Sequence, residues 1–136
     1  MKRQKAVIDG TNALYLHTPR DPRPNIKNVF SLADIAEQTG LEPTIVFDPG
    51  IRPLITDAHE FEKLLSDARV LTVPEGKDAG LFVLETADNL NALIVSNNTY
   101  AECVSNNDWV ENRRIPIAIV DGAMLLLLEQ KFRRAG

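Results

Sequence analysis

The stretch KAVIDGTN at residues 5–12 decides the fold, because it joins a short apolar run to a polar turn. The run at residues 5–8 lacks alternation of apolar and polar side chains, as is typical of a strand buried on both faces of a parallel sheet. Similar runs recur along the chain. We predict five strands, at residues 5–8, 44–47, 70–73, 92–95 and 117–120.

Helical patterns separate these runs. In residues 25–38, Ile26, Val29, Phe30 and Ala33 follow the spacing i, i+3, i+4, i+7 of one helix face. The alternation of strands and helices predicts an α/β fold, a parallel sheet covered on both faces. The helices are predicted at residues 25–38, 57–67 and 79–90, with a short one at 99–104, a loop at 13–24, and a short strand or helix within 122–132.

Composition limits the class of protein. The 136 residues suit one domain spanning 1–136, and 44% hydrophobic with 25% charged residues is the balance of a soluble globular protein. No apolar run approaches the ~18 residues that cross a bilayer, and Asp9 interrupts the first one, so we expect neither a membrane nor a signal peptide. A single cysteine, Cys103, excludes an internal disulfide. We therefore expect a cytoplasmic location. The net charge of −4 disfavours a passive nucleic-acid coat protein, because such proteins are normally basic.

Polar residues stand where the predicted strands end or the next helix begins. The carboxyl ends of parallel strands share one edge of a sheet, and ligands bind there. Repulsion between gathered carboxylates is commonly offset by a divalent cation with oxygen ligands. The residues concerned are Asp9, Asp48, Asp78, Asn97, Asn98 and Asp121.

Turn and cap chemistry explains some of these residues equally well. Asp121 precedes a glycine and is better read as a turn residue, while for Asp48 the turn and the site are about even. Asp78 could cap its helix. Asp9 is harder to assign to a turn alone, because Asn12 lies close enough in sequence to hydrogen-bond its carboxylate or to position a phosphate.

Three motifs in order resemble one family over nearly the whole chain. They are VIDGTN at 7–12, KDAGLFVLETADNLNALIVSNNTY at 77–100, and WVENRRIPIAIVDG at 109–122. They are similar to the motifs of PIN-like NYN endoribonucleases, particularly the Regnase-type branch. The resemblance implies a Rossmann-like domain with about five parallel strands in the order 3-2-1-4-5.

The same resemblance implies catalytic roles for Asp9, Asn12, Asp78 and Asn98. Asp9 and Asp78 correspond to metal-coordinating acids, and Asn12 to the polar partner of Asp9. Asn98 stands where family members commonly have an aspartate, so one negative charge is missing. Lys77 replaces a further acid before Asp78, and Asp48 is a third expected metal ligand that compensates.

The function implied is hydrolysis of single-stranded or looped RNA by an endoribonuclease that uses Mg²⁺ or Mn²⁺. A cation lowers the pKa of a bound water for in-line attack, so no protein nucleophile is required. The partner is RNA, with a homodimer left open. The expected substrate-binding residues are Arg20, Arg23, Arg52 and Tyr15, although solvated loop charges and a packed loop aromatic explain these four equally well.

Two alternatives remain at this point. A catalytically weakened PIN-like domain that binds RNA or a protein is motivated by Asn98 and Lys77. An unrelated flavodoxin-like or phosphotransfer domain is disfavoured, because the sequence has no glycine-rich phosphate loop of either standard type.

Overall fold

The computed structural model describes residues 3–16, 23–105 and 107–128. Its central sheet has five parallel strands in the order β3-β2-β1-β4-β5, which confirms the predicted α/β class and strand order. Two further strands form an antiparallel hairpin. The strands are β1 Gln4–Asp9, β2 Leu41–Phe47, β3 Val70–Thr72, β4 Leu93–Val95, β5 Arg114–Ile115, β6 Ile117–Val120 and β7 Ala123–Leu126.

Apolar residues alternate between two separate cores on the two faces of the sheet. In β1, Ala6 and Ile8 belong to one core and Val7 to the other. Ile45 and Val46 in β2 divide in the same way. Successive side chains of a strand point to opposite faces, so a strand buried on both sides must be continuously apolar. This explains why the runs read from the sequence showed no alternation.

Helices cover both faces. On one face α1, α2 and α3 pack through Leu14, Val29 and Phe61, and on the other α4 and α5 pack through Leu84 and Val110. The helices are α1 Gly10–Leu14, α2 Ile26–Gln38, α3 Ala58–Leu65, α4 Ala79–Leu90 and α5 Asp108–Arg113, with a 3₁₀ helix at Pro49–Leu54. Among the described residues, no helix is long and apolar enough to span a membrane.

Side-chain caps fix where two of the predicted helices begin. The Asn25 side chain accepts a hydrogen bond from the backbone N–H of Lys27, and Asp57 accepts one from that of Glu60. Each cap satisfies an N–H group that has no partner inside the helix. The predicted helices at 25–38, 57–67 and 79–90 are confirmed, with shifts of at most two residues at their ends.

The predicted fifth strand was wrong in position. β5 consists of Arg114 and Ile115, whereas residues 117–120 form β6 of the hairpin. Pro116 lies between them and has no N–H to continue a ladder, so the chain leaves the sheet there. Asp121 and Gly122 have φ of 51° and 81° in the tight turn between β6 and β7. The turn interpretation of Asp121 is thus confirmed, and the predicted tail segment supplies strand β7.

Two further expectations need correction. Residues 99–104 form turns, not a helix, because Tyr100 adopts a left-handed φ of 58° that a helix cannot continue through. Helix α5, which begins at Asp108, was not predicted. The predicted loop at 13–24 starts later, since α1 continues to Leu14, and residues 17–22 lie outside the described ones.

Gly10 permits the close packing of α1 against β2. A Cβ at this position would lie 2.5 Å from the backbone oxygen of Val46, a distance that requires the backbone to shift. We expect Gly10→Ala to lower the free energy of unfolding by ~1–3 kcal/mol, the usual cost of overpacking. Thermal unfolding measures this. Gly50→Ala is the control, since its nearest neighbour is the movable carboxylate of Asp48 at 3.1 Å. Equal losses in the two variants would contradict the packing argument.

Candidate active site

An open cleft of about 400 Å³ lies at the carboxyl ends of β1 and β4. β1 ends in Asp9, and the polar residues 96–98 follow the last residue of β4. The start of α4 forms another part of the wall. The lining residues are Asp9, Thr11, Asn12, Tyr15, Ala79, Gly80 and Asn98.

Asp9 is the buried acid of the cleft, with only 6% of its surface exposed. It ends β1 and caps α1, and its Oδ1 accepts a hydrogen bond from the backbone N–H of Asn12 at 3.1 Å. Its Oδ2 accepts one from the Tyr100 hydroxyl at 2.6 Å. Burial raises the pKa of Asp9, although hydrogen bonds from Tyr100, Asn12, Thr11 and Ser96 oppose the shift. Each of these bonds stabilises the charged form of a carboxylate that water cannot fully solvate.

Tyr100 was missed by the sequence analysis as a site residue. The turn after β4 brings its side chain under the cleft, where it is 1% exposed. The Asn98 side-chain oxygen accepts a hydrogen bond from the Tyr100 backbone N–H at 2.9 Å, and the Asn98 N–H donates to the Ser96 hydroxyl oxygen at 3.0 Å. Burial, and then the charge of Asp9, raise the pKa of the Tyr100 hydroxyl, so it remains a donor.

Asn12 connects β1 to the turn after β4. Its Oδ1 accepts a hydrogen bond from the backbone N–H of Asn97 at 3.1 Å. Asn97 in turn donates to the Ile117 carbonyl at 2.9 Å and accepts from the Ile117 N–H at 2.7 Å. The Asn97 side chain thus takes the place of a neighbouring strand in hydrogen bonding to Ile117, the first residue of β6. These hydrogen bonds link the hairpin to the cleft.

Asp78 lies at the same end of the sheet as Asp9. It occupies the cap position of α4 but makes no side-chain cap hydrogen bond, so the capping explanation loses its main support. Its Oδ1, the Tyr100 ring and the Cys103 sulfur all lie within 4 Å of where a Cβ on Gly80 would stand. Burial raises the pKa of the Cys103 thiol, and the nearby Asp78 charge adds to that shift. Lys77 points its ammonium group at Glu85, 2.8 Å away.

Of the other predicted residues that the structure describes, Tyr15 alone lines the cleft. Asp48 accepts a hydrogen bond from the Gly50 N–H at 2.9 Å and caps the 3₁₀ helix, as its turn interpretation predicts. The Arg52 guanidinium lies over the Phe61 ring, 5.1 Å from its centroid. Tyr15 lines the cleft and is 40% exposed. Arg23 is not among the lining residues, and Arg20 lies outside the described residues.

The expected cluster of three carboxylates is not formed. Within residues 3–16, 23–105 and 107–128, no group of three or more His, Cys, Asp or Glu side chains could hold a metal ion. The Oδ1 of Asp48 accepts a hydrogen bond from the Gly50 N–H, and neither Asp48 nor Asp78 is among the residues that line the cleft. Mg²⁺ is commonly bound through one or two carboxylates with waters and phosphate oxygens completing the shell, so the chemistry of the Asp9 carboxylate in the cleft suits such an ion.

The strand order 3-2-1-4-5 of the parallel sheet, with Asp9 at the carboxyl end of β1, matches a PIN-like fold. The family model described as Zc3h12a-like ribonuclease NYN domain matches residues 2–136. The chain therefore belongs to this family of ribonuclease domains, which confirms the resemblance read from the three motifs.

Solved structures support the fold. The chain is similar to two structures of the nuclear protein-only RNase P 2 (PRORP2) of Arabidopsis thaliana, each with a TM-score of 0.68. The sequence identities are 19% and 18%, over 91% and 92% of this chain. The chain spans only 29% and 30% of the length of those two proteins. A comparison with curated proteins gives no match.

We expect Asp9→Asn to fold and, at neutral pH, to be at least as stable as the wild type, because the amide removes the cost of a buried charge. The folded-state pKa of Asp9 lies above its ordinary value. Wild-type stability therefore contains a contribution from Asp9 that is full below the ordinary pKa and is lost as pH rises through the folded pKa. The variant lacks this contribution, so its relative stability is greatest at neutral pH and shrinks on acidification.

Thermal unfolding between about pH 4 and pH 8 tests this expectation. The control is Asp78→Asn, which neutralises an exposed carboxylate at the same end of the sheet. A stability difference between Asp9→Asn and wild type that is constant over the whole range would contradict the burial argument.

Proposed function

We propose that this chain is an endoribonuclease that hydrolyses phosphodiester bonds of single-stranded or looped RNA with the help of Mg²⁺ or Mn²⁺. The observation that carries the proposal is Asp9, a buried carboxylate held from two sides in an open cleft of a ribonuclease-family domain. Buried acids with shifted pKa values in a cleft are typical of functional sites.

Asp9 and Asp78 are the residues that would hold the cation. A divalent ion bound there would supply Lewis-acid stabilisation of the phosphate and a water of lowered pKa. Asp48 is left out of this set because neither it nor its chain neighbours line the cleft, whereas Ala79 and Gly80, which follow Asp78, do. With fewer acids than the resemblance implies, we expect weak Mg²⁺ binding and better support of activity by Mn²⁺, which accepts mixed ligands more readily.

The protein itself contributes positioning. Tyr100 and the backbone N–H of Asn12 fix both oxygens of Asp9, so the carboxylate does not reorganise when the substrate arrives. The exposed ring of Tyr15 at the cleft wall is suited to stacking on an unpaired base, which a duplex does not offer. Stacking on the Tyr15 ring therefore favours single-stranded over paired RNA as the substrate.

A second candidate is an RNA- or protein-binding domain with little catalysis. The observation that favours it is the missing third acid, since no cluster of three acidic, histidine or cysteine side chains is formed in the described part of the chain. Cleavage assays distinguish the two functions directly.

Asp9→Asn should abolish cleavage, with a loss of about a hundredfold or more, because a ligand worth several kcal/mol of transition-state stabilisation is removed. The measurement is single-turnover cleavage of a fluorescent single-stranded RNA and a hairpin RNA across Mn²⁺ and Mg²⁺ titrations, with EDTA as the metal-free arm. Equal cleavage by wild type and Asp9→Asn would assign the activity to a contaminant or to another site.

Asn98→Asp should tighten Mn²⁺ binding by about tenfold, because a carboxylate adds ~1 kcal/mol or more of attraction to a nearby cation. Cleavage should rise in parallel, while the metal-free protein becomes slightly less stable from repulsion between acids. Calorimetric titration of Mn²⁺ without RNA measures the affinity. If only Asn98→Asp cleaves RNA, the wild-type chain is the binding domain and not an enzyme. If the Mn²⁺ affinity of Asn98→Asp equals that of wild type, residue 98 is not part of the metal site.

A further inference from the structure

We propose that Asn98 binds a phosphate group of RNA through its side-chain N–H₂ and is not a metal ligand. This rests on the proposed function for the choice of RNA as the ligand. At position 98 this chain carries an amide where the resemblance implies an acid.

The two polar atoms of the Asn98 side chain have different surroundings. Its oxygen accepts a hydrogen bond from the Tyr100 N–H at 2.9 Å. Since only the carbonyl oxygen of an amide can accept, this bond fixes which atom is Oδ1 and which is Nδ2. Asn98 lines the cleft, and no residue in the described part of the chain accepts a hydrogen bond from its Nδ2.

Asn12 is arranged in the same way across the cleft. Its Oδ1 is held by the Asn97 N–H at 3.1 Å, and no described residue accepts from its Nδ2. Asn12 and Asn98 therefore both line the cleft, and the carbonyl oxygen of each accepts a hydrogen bond from a backbone N–H, which leaves the two N–H₂ groups for a ligand. An N–H₂ group donates hydrogen bonds and does not coordinate a cation, so the ligand for this pair must carry acceptor oxygens.

The non-bridging oxygens of an RNA phosphate meet this requirement. Hydrogen bonds to a charged acceptor are about twice as strong as neutral ones. Phosphate contacts also position a nucleic acid without reading its sequence. Asp9 repels the phosphate, and the two amides offset that repulsion with donors that carry no net charge.

The turn allows substitutions of Asn98 that keep the hydrogen bond from the Tyr100 N–H. In Asn98→Asp a carboxylate oxygen can keep the bond from the Tyr100 N–H, while the donor in the cleft becomes a charged acceptor. In Asn98→Ser a hydroxyl oxygen can also accept in this turn, but the long N–H₂ donor is lost without a charge. The two variants thus separate loss of the donor from added repulsion.

The test is metal-free binding of fluorescent oligouridine and oligoadenosine in EDTA at low salt, measured by anisotropy. We expect affinity to fall several-fold in Asn98→Ser and about tenfold or more in Asn98→Asp, equally for both RNAs, since one bond to a charged group is lost. Thr99→Asp adds the same charge at an exposed neighbour that does not line the cleft, and it should change affinity less than about twofold.

The proposal is overturned if Asn98→Asp binds RNA as tightly as wild type, if the loss is confined to one of the two RNAs, or if wild type binds no RNA in EDTA. A loss in Thr99→Asp equal to that in Asn98→Asp overturns it too, since it would be general repulsion. Cleavage by wild type in Mn²⁺ is scored separately. If wild type cleaves while Asn98→Asp binds normally, this inference fails and the ribonuclease function stands.

Discussion

The hydrogen bond between the Tyr100 hydroxyl and Asp9 joins the two halves of the site. A buried carboxylate without partners costs several kcal/mol, so the fold can place Asp9 below the cleft only if donors accompany it. Tyr100 reaches Asp9 from a turn 91 positions further along the chain. That turn requires a left-handed φ at a residue other than glycine, which is uncommon and costs ~1–3 kcal/mol. Burial of the tyrosine ring offsets this cost.

Local periodicity made most of the fold predictable. Four of the five predicted strands and the helix stripe from Ile26 to Ala33 follow from side-chain spacing alone, and these were predicted correctly. The fifth strand was misplaced because the longer apolar run at residues 117–120 looked more like a strand than Arg114 and Ile115 did. Only the missing N–H of Pro116 marked the point where the sheet ends, and its effect depends on the neighbouring strand.

The site was most directly predictable where a polar residue ends a buried strand or follows it closely. Asp9 and Asn12 follow directly from a buried strand, and both line the cleft. Asp48 has the same sequence context, yet its carboxylate is used by the Gly50 N–H two residues later. Tyr100 gave no pattern to read, because its role depends on a turn conformation and on a partner in another strand. Spacing therefore identified candidates, and the packing of the strand ends decides which of them line the cleft.

The turn at Asn98 explains why a neutral residue can stand at this position without disturbing the fold. The turn needs one acceptor oxygen for the Tyr100 N–H, and an amide and a carboxylate both supply it. Tyr100 and, through it, Asp9 are therefore held in either case. The exchange changes only the second atom, which is a donor in the amide and an anionic acceptor in the acid. In our proposal, the same backbone therefore offers the cleft to a phosphate when residue 98 is an amide and to a cation when it is a carboxylate.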